Sequence, residues 1–309
     1  DYLNPKNQEM TLKKITLKQI ILISFSILLA PNCYAQSSQS SKAQLAATLK
    51  QSGKTNLTKY LNEAKWDELF PNRARGPRKL KKATFDFYSF KSFVTAAKVF
   101  PNFISGNKTA QKRELAAFLA NIAQETSGGW AEAKGGYLKW GLFYIQEKQD
   151  STVNNYVDVT KKNYPPVMGK SYFGRGPKQL SWNYNYGQFS EAWYGTKDSL
   201  LQHPEWLAQN PVLSFASAIW FWMTPQFPKP SCHDIMVGTW KPTAIDLQKG
   251  RIPGFGATVN VINGGVECGS GNDMEKTSYR YQYYLYFCRY FKVSPGNNIS
   301  CSNQKPFGQ

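Results

Sequence analysis

Histidine is scarce in this sequence: 309 residues hold two, His203 and His233. That excludes a His-rich metal site and confines any Ser-His-Asp arrangement to those two rings. Cysteine is scarce as well, and five are too few for a disulfide scaffold at this length. Acidic residues number 20 against 38 Lys and Arg, for a formal net charge of +18. Residues 1–35, with four Lys and two acids, carry only +2 of this, so the remainder is itself strongly basic. Such an excess attracts polyanions. No nucleic-acid-binding motif accompanies it, so nucleic acid is not expected as a partner, and surface adhesion by an exported protein is the simpler reading. No apolar run reaches the length of a bilayer. The longest, at 20–30 (IILISFSILLA), has eleven residues.

What is present is the composition of a folded chain, 41% hydrophobic and 15% aromatic. The N-terminus reads as an export signal. Met10 opens it, Lys13, Lys14 and Lys18 form a basic region, the apolar run follows, and Ala35 offers a small residue before a cut. Residues 1–9 then read as an upstream extension and 10–35 as the signal peptide. Lipidation of Cys33 is the weaker alternative, because Pro31 and Asn32 are poor residues before a lipidated Cys. Residues 36–60 read as a flexible tether that starts Ser/Gln-rich, and 61–309 as one domain without internal repeats. A secreted or periplasmic location follows, with no membrane association after cleavage and a monomer expected. Four cysteines remain in the mature chain, and an oxidising compartment allows one or two disulfides among them. The segment 73–82 (RARGPRKLKK) is a basic loop.

Helical spacing dominates the domain. Phe90, Phe93, Val94, Ala97 and Phe100 recur along one face until Pro101. Leu115, Phe118, Leu119 and Ile122 do so in a helix expected over 111–126. Asn210-Pro211 reads as a cap and a first-turn proline, with Val212, Phe215, Ile219 and Met223 along the following face. Asp273 can cap a last helix that buries Tyr281, Tyr284, Leu285 and Cys288. Loops rich in Gly, Pro, Asn and Tyr separate these helices, where binding sites commonly lie.

Glu125 ends the 111–126 helix among apolar and aromatic neighbours, and burial there would raise its pKa toward that of a general acid. Glu147 follows 22 residues later, near enough for a fold-back to pair the two carboxylates as glycoside hydrolysis requires. Tyr172-Phe173-Gly174-Arg175-Gly176-Pro177 leads into Gln179-Leu180-Ser181-Trp182-Asn183-Tyr184-Asn185-Tyr186-Gly187. Rings alternate there with amides and hydroxyls, which suits sugars. Gly-Arg-Gly-Pro lacks the spacing of a phosphate loop, so no nucleotide is expected.

Taken together, these segments resemble glycoside hydrolase family 19, the plant-type endochitinases and their bacterial relatives. The likeness spans about residues 60–308. It is carried by Ala116-Ala117-Phe118-Leu119 through Glu125-Thr126-Ser127-Gly128-Gly129-Trp130, by 172–187, and by Ser217-Ala218-Ile219-Trp220-Phe221-Trp222-Met223-Thr224. Pro228-Lys229-Pro230-Ser231-Cys232-His233-Asp234 and Gly254-Phe255-Gly256-Ala257-Thr258 through Asn263-Gly264-Gly265-Val266-Glu267-Cys268-Gly269 complete it. The resemblance implies a mainly α, lysozyme-like two-lobed fold with a central substrate cleft and a small β element. It implies an endochitinase that cleaves β-1,4 links between N-acetylglucosamine units with inversion, acting on chitin or its oligomers. Peptidoglycan is the competing substrate, and a non-catalytic chitin-binding protein the more distant alternative. No metal or cofactor is implied. Glu125 matches the general acid, Glu147 the general base and Ser181 a residue holding the attacking water. Gln179, Tyr172, Tyr184, Asn185, Trp140, Lys229, Ile262 and Asn263 fall on substrate-contacting positions. Glu267 and Arg280 match a pair that tunes the acid. Inversion implies carboxyls roughly 6.5–9.5 Å apart. Gln124 stands where many plant members have His, and Phe143 where they have a disulfide cysteine. The loop 153–168 lacks their second cysteine pair. Cys268 and Cys301 fit the third disulfide, leaving Cys232 and Cys288 without an assigned partner.

Overall fold

The computed structural model describes residues 53–73, 86–148, 155–269 and 274–308, with the side chains of 274–278 left aside. The chain separates into two units, 1–48 and 49–309, and every described residue lies in the second. The upstream extension, the signal segment, most of the tether, most of the 73–82 loop and Asp273 lie outside the described residues.

Helix α3 (Lys108–Glu125) is central. Asn107 starts it, with its side chain accepting the Ala110 N–H at 2.9 Å. This cap begins the helix a turn before the apolar pattern does. Ten consecutive residues, Glu114 through Ala123, are buried. Thr126 closes the helix: its hydroxyl donates to the Ile122 carbonyl at 2.6 Å and accepts the Leu142 N–H at 2.8 Å. Glu125 is therefore held at the last turn of a buried rod.

Around α3 pack α8 (Cys232–Val237), α10 (Phe255–Glu267) and α11 (Met274–Tyr290), and α7 (Pro211–Met223) reaches it through Trp222, which meets Phe118 edge-on and donates to Glu114. Asn210 caps α7 by accepting the N–H groups of Val212 and Leu213, both at 3.1 Å. The expected single apolar face of α7 is exceeded, because Leu213 through Trp222 are all buried. Helices α1 (Glu63–Leu69) and α2 (Phe90–Ala97) join an aromatic cluster with α3 and α7. Phe93 stacks on Phe118 at 5.8 Å, and also meets Trp66 at 5.2 Å and Phe215 at 5.0 Å. Each such ring buries about 150–250 Å².

Three expectations need correction. The tether does not extend to residue 60: Leu57 is fully buried, and Asn56 donates to the Ile104 carbonyl at 2.9 Å. The apolar pattern misplaced the buried face of α11, which is Arg280, Tyr283, Tyr284, Phe287 and Cys288, while Tyr281 and Leu285 are only half-buried. Among the described residues the small β element amounts to isolated antiparallel bridges, Gln146 to Arg175, Arg175 to Leu180 and Gln226 to Lys229.

The segment after α11 returns across α10. Cys268 and Cys301 form a disulfide there, while Cys232 and Cys288 are free and buried. Asn260 on α10 donates to Gln304 and to the Lys305 carbonyl, and accepts the Phe307 N–H. Gly256 makes this approach possible. A Cβ there would lie 2.2 Å from the Ser300 carbonyl oxygen, which is backbone and cannot swing away. Gly256→Ala should cost about 1–3 kcal/mol, the usual range for overpacking. Urea unfolding checks this, and a midpoint equal to wild type would mean that the C-terminal segment docks loosely.

Candidate active site

One antiparallel bridge, Gln146 to Arg175, ties Glu147 to the 174–176 segment, and the Phe143 and Tyr144 N–H groups donate to the Thr126 carbonyl at the end of α3. The Glu147 N–H donates to the Gly174 carbonyl at 2.8 Å, and the Gly176 N–H to the Ile145 carbonyl at 2.8 Å. The Glu147 carboxylate accepts the Gly174 N–H at 3.2 Å and the Tyr156 hydroxyl at 2.8 Å. Burial, then the neighbouring Glu147, push the Tyr156 phenol up to about 12, so Tyr156 stays a donor at neutral pH. Gly174 lies close against Gln179: a Cβ there would come within 2.8 Å of the Gln179 side-chain oxygen and 3.0 Å of its Cβ.

The chain then turns sharply toward helix α4 (Asn183–Tyr194). Gln179 and Trp182 have φ of 51° and 77°, left-handed values that non-glycine residues rarely adopt. Strain of about 1–3 kcal/mol per residue persists only where surroundings enforce it. Here they do. The Ser181 hydroxyl donates to the Gln179 carbonyl at 2.9 Å, and Asn185 donates to the Ser181 carbonyl at 2.8 Å. Arg175 braces the segment from below, buried, bonded to the Ser171 carbonyl and the Tyr186 hydroxyl, with its guanidinium 3.7 Å over the Phe173 ring.

The result is a cavity of about 500 Å³ faced by both Glu125 and Glu147. Gln179, Ser181, Tyr184, Asn185, Lys229, Ile262 and Asn263 also line it. Asn263 sits at a break in α10, with φ −145° and ψ 33°, and donates to Glu267 at 2.9 Å. Two expected contacts are not brought to this cavity. Tyr172 is fully buried, with its hydroxyl donating to the Leu201 carbonyl and accepting the Val167 N–H, so it braces the loop. Trp140 donates to the Lys134 carbonyl and packs its ring against Trp130 and Phe143, away from the cavity wall.

Glu125 is set by its charges. Arg280, itself buried, donates to Glu125 at 2.7 Å, to Glu267 at 2.6 and 2.9 Å, and to Asn121 at 2.9 Å. Lys178, which the sequence reading passed over, places its ammonium 4.0 Å from the other Glu125 oxygen and 4.7 Å from the Phe221 ring centre. Burial pushes the Glu125 carboxyl up, but Lys178 and Arg280 together hold it below the ordinary carboxylate range. The raised value expected from apolar neighbours is therefore corrected. Local sequence displays the neighbours along the chain but hides a cation 53 residues away. The only signal was the basic side chain inside Gly176-Pro177-Lys178-Gln179.

The family described as chitinase class I, glycoside hydrolase family 19, matches residues 65–301. The chain belongs to this family. An endochitinase of Carica papaya is 43% identical over 253 residues, covering 82% of this chain and all of that one. Endochitinase A2 of Pisum sativum is 47% identical over 223 residues, 72% of this chain and 66% of that one. Among solved structures, chitinase C from Streptomyces griseus HUT6037 is 31% identical with a TM-score of 0.60, covering 78% of this chain and 97% of that one. The family 19 chain departs from the plant pattern in how it braces the loop after α3. Phe143 packs between Trp140 and Tyr144, and any Cβ on Gly128 would strike its ring. Gln124, in place of the plant His, accepts the Tyr137 hydroxyl at 2.9 Å.

Opposed shifts should follow from the charge cluster. Lys178→Gln removes a cation and should raise the Glu125 pKa. Glu267→Gln leaves Arg280 less neutralised and should lower it. Carboxyl-carbon NMR titration of Glu125 reads both, and shifts of the same sign would contradict the cluster as described.

Proposed function

We propose that this protein is an exported endochitinase, hydrolysing β-1,4 links between N-acetylglucosamine units with inversion. The carrying observation is the single cavity that both Glu125 and Glu147 face. Two carboxylates flanking one bond are what this reaction needs. Export rests on the basic and apolar pattern at 10–35, and no helix among the described residues is long and apolar enough to cross a membrane.

In this reading Glu125 protonates the leaving glycosidic oxygen. Glu147 takes a proton from the water that attacks the anomeric carbon from the opposite face, and Ser181 helps to hold that water. Tyr156 and the Gly174 N–H fix the Glu147 carboxylate, so the base arrives pre-oriented. Gln179, Tyr184, Asn185, Lys229, Ile262 and Asn263 seat the sugars. Free Glu125 favours ionisation. In the bound complex the glycosidic oxygen accepts a hydrogen bond only from the protonated carboxyl, and this favours proton uptake as the substrate seats. Once protonated, the acid lies between two cations and parts with its proton readily.

Glu125→Gln should lower kcat on chitin hexamer about 10²–10⁴-fold with little change in binding, since the amide keeps the shape and lacks the proton. Glu147→Gln should be similarly impaired, with azide partly restoring turnover of an activated substrate. Proton NMR of fresh wild-type product should show the α anomer. Near-normal turnover of Glu125→Gln, or an initial β anomer, would overturn the mechanism. Lys178→Gln should move the alkaline limb of the kcat/KM profile upward, because that limb reports the acid of the free enzyme.

A further inference from the structure

One oxygen of Glu267 is shared between two donors. Its Oε1 accepts Arg280 Nη2 at 2.6 Å and the Asn263 amide N–H at 2.9 Å. The same Arg280 nitrogen donates to Glu125 Oε1 at 2.7 Å. Asn263, Glu267, Arg280 and Glu125 thus form an unbroken chain of hydrogen bonds, and both of its ends line the catalytic cavity. Each link is held in place. Helix α10 breaks at Asn263, and the next residue, Gly264, packs so closely that a Cβ would lie 2.2 Å from the Asn260 side-chain oxygen. Lys229 donates to the Val261 carbonyl at 2.9 Å, two residues before the break. Glu267 is followed at once by Cys268, whose disulfide to Cys301 ties the end of α10 to the C-terminal segment. The Glu267 and Arg280 side chains are each 3% exposed, so solvent screens them little.

Asn263 is neutral, but its dipole acts on charge. The amide N–H disperses part of the Glu267 charge and competes with Arg280 for one oxygen. Without it, Glu267 would hold the guanidinium more fully, and less of that positive field would reach Glu125. The other charged groups facing the acid are Lys178 from the opposite wall and Glu147 across the cavity. We propose that Asn263 is a positioning residue for the general acid: through Glu267 it sets how much of Arg280 is left for Glu125. The inference rests on the hydrolase reading above, and it adds a second role to a residue placed there for sugar contact alone. Linkage makes the effect mutual. What Asn263 does to the ionisation of Glu125, protonation of Glu125 does to the hold on a sugar at Asn263.

The test follows the pH dependence of kcat/KM on chitin hexamer, whose alkaline limb reports the acid of the free enzyme. Asn263→Leu removes the donor at similar volume. It should raise KM about two- to tenfold, the loss of one hydrogen bond to a sugar. It should also move the alkaline limb upward by about half a pH unit, the part of a charge-assisted bond that two further links transmit. In a Glu267→Gln background the same substitution should still raise KM but leave the limb where Glu267→Gln alone puts it, because the carboxylate through which Asn263 acts is gone. A higher KM with an unmoved limb would reduce Asn263 to a sugar contact and overturn the inference. So would a limb shift that survives undiminished in the Glu267→Gln background. A second readout needs no variant: in the ligand-free wild-type protein, the NMR signal of the Asn263 side-chain amide proton should shift as Glu125 titrates. An amide that does not respond would likewise overturn the inference. Wild-type protein that cleaves no chitin hexamer would instead overturn the hydrolase reading.

Discussion

The buried Arg280 guanidinium is the interaction on which the site depends. It joins α11 to α3 and α10 through Glu125, Asn121 and Glu267. A buried cation is expensive unless it is paired and its donors are used. Arg280 with its two carboxylates alone would leave the cluster with one excess negative charge. Lys178 supplies the missing positive charge from the opposite wall. The four groups together are neutral, which explains how so much charge stays buried at the edge of an apolar core. The same balance governs the chemistry. Adding a proton to Glu125 leaves the cluster positive, so the acid is seldom protonated when free but donates readily once loaded. Proton transfer gains from a strong donor and loses from a scarce one, and the best compromise lies near the working pH.

Such a balance holds only if the charged groups cannot drift apart. The aromatic cluster around Phe93, Phe118 and Trp66 anchors the rod whose last residue is Glu125. On the other wall, the left-handed residues Gln179 and Trp182 are held by hydrogen bonds between Ser181, Gln179 and Asn185. The loop after α3 is held by Phe143, which packs tilted against Trp140 and meets Tyr144 edge-on. Aromatic packing braces this loop without a cross-link among the described residues. It works in any redox environment, though unlike a cross-link it leaves the unfolded chain unconstrained.

Much of this was legible in the sequence because it is local. The Asn210 cap, the α7 proline and the motif from Gln179 to Asn185 are each written within a few residues. What was illegible depends on contacts between distant segments. Tyr172 stands inside the sugar-binding motif but points into the core, since the chain reverses around it and buries its hydroxyl on Leu201. The buried face of α11 is chosen by Arg280, a charged residue that apolar periodicity counts as exposed. The sign of the Glu125 shift was missed for the same reason. Apolar neighbours in sequence predict desolvation, whereas the cations that together outweigh it arrive from residues 178 and 280.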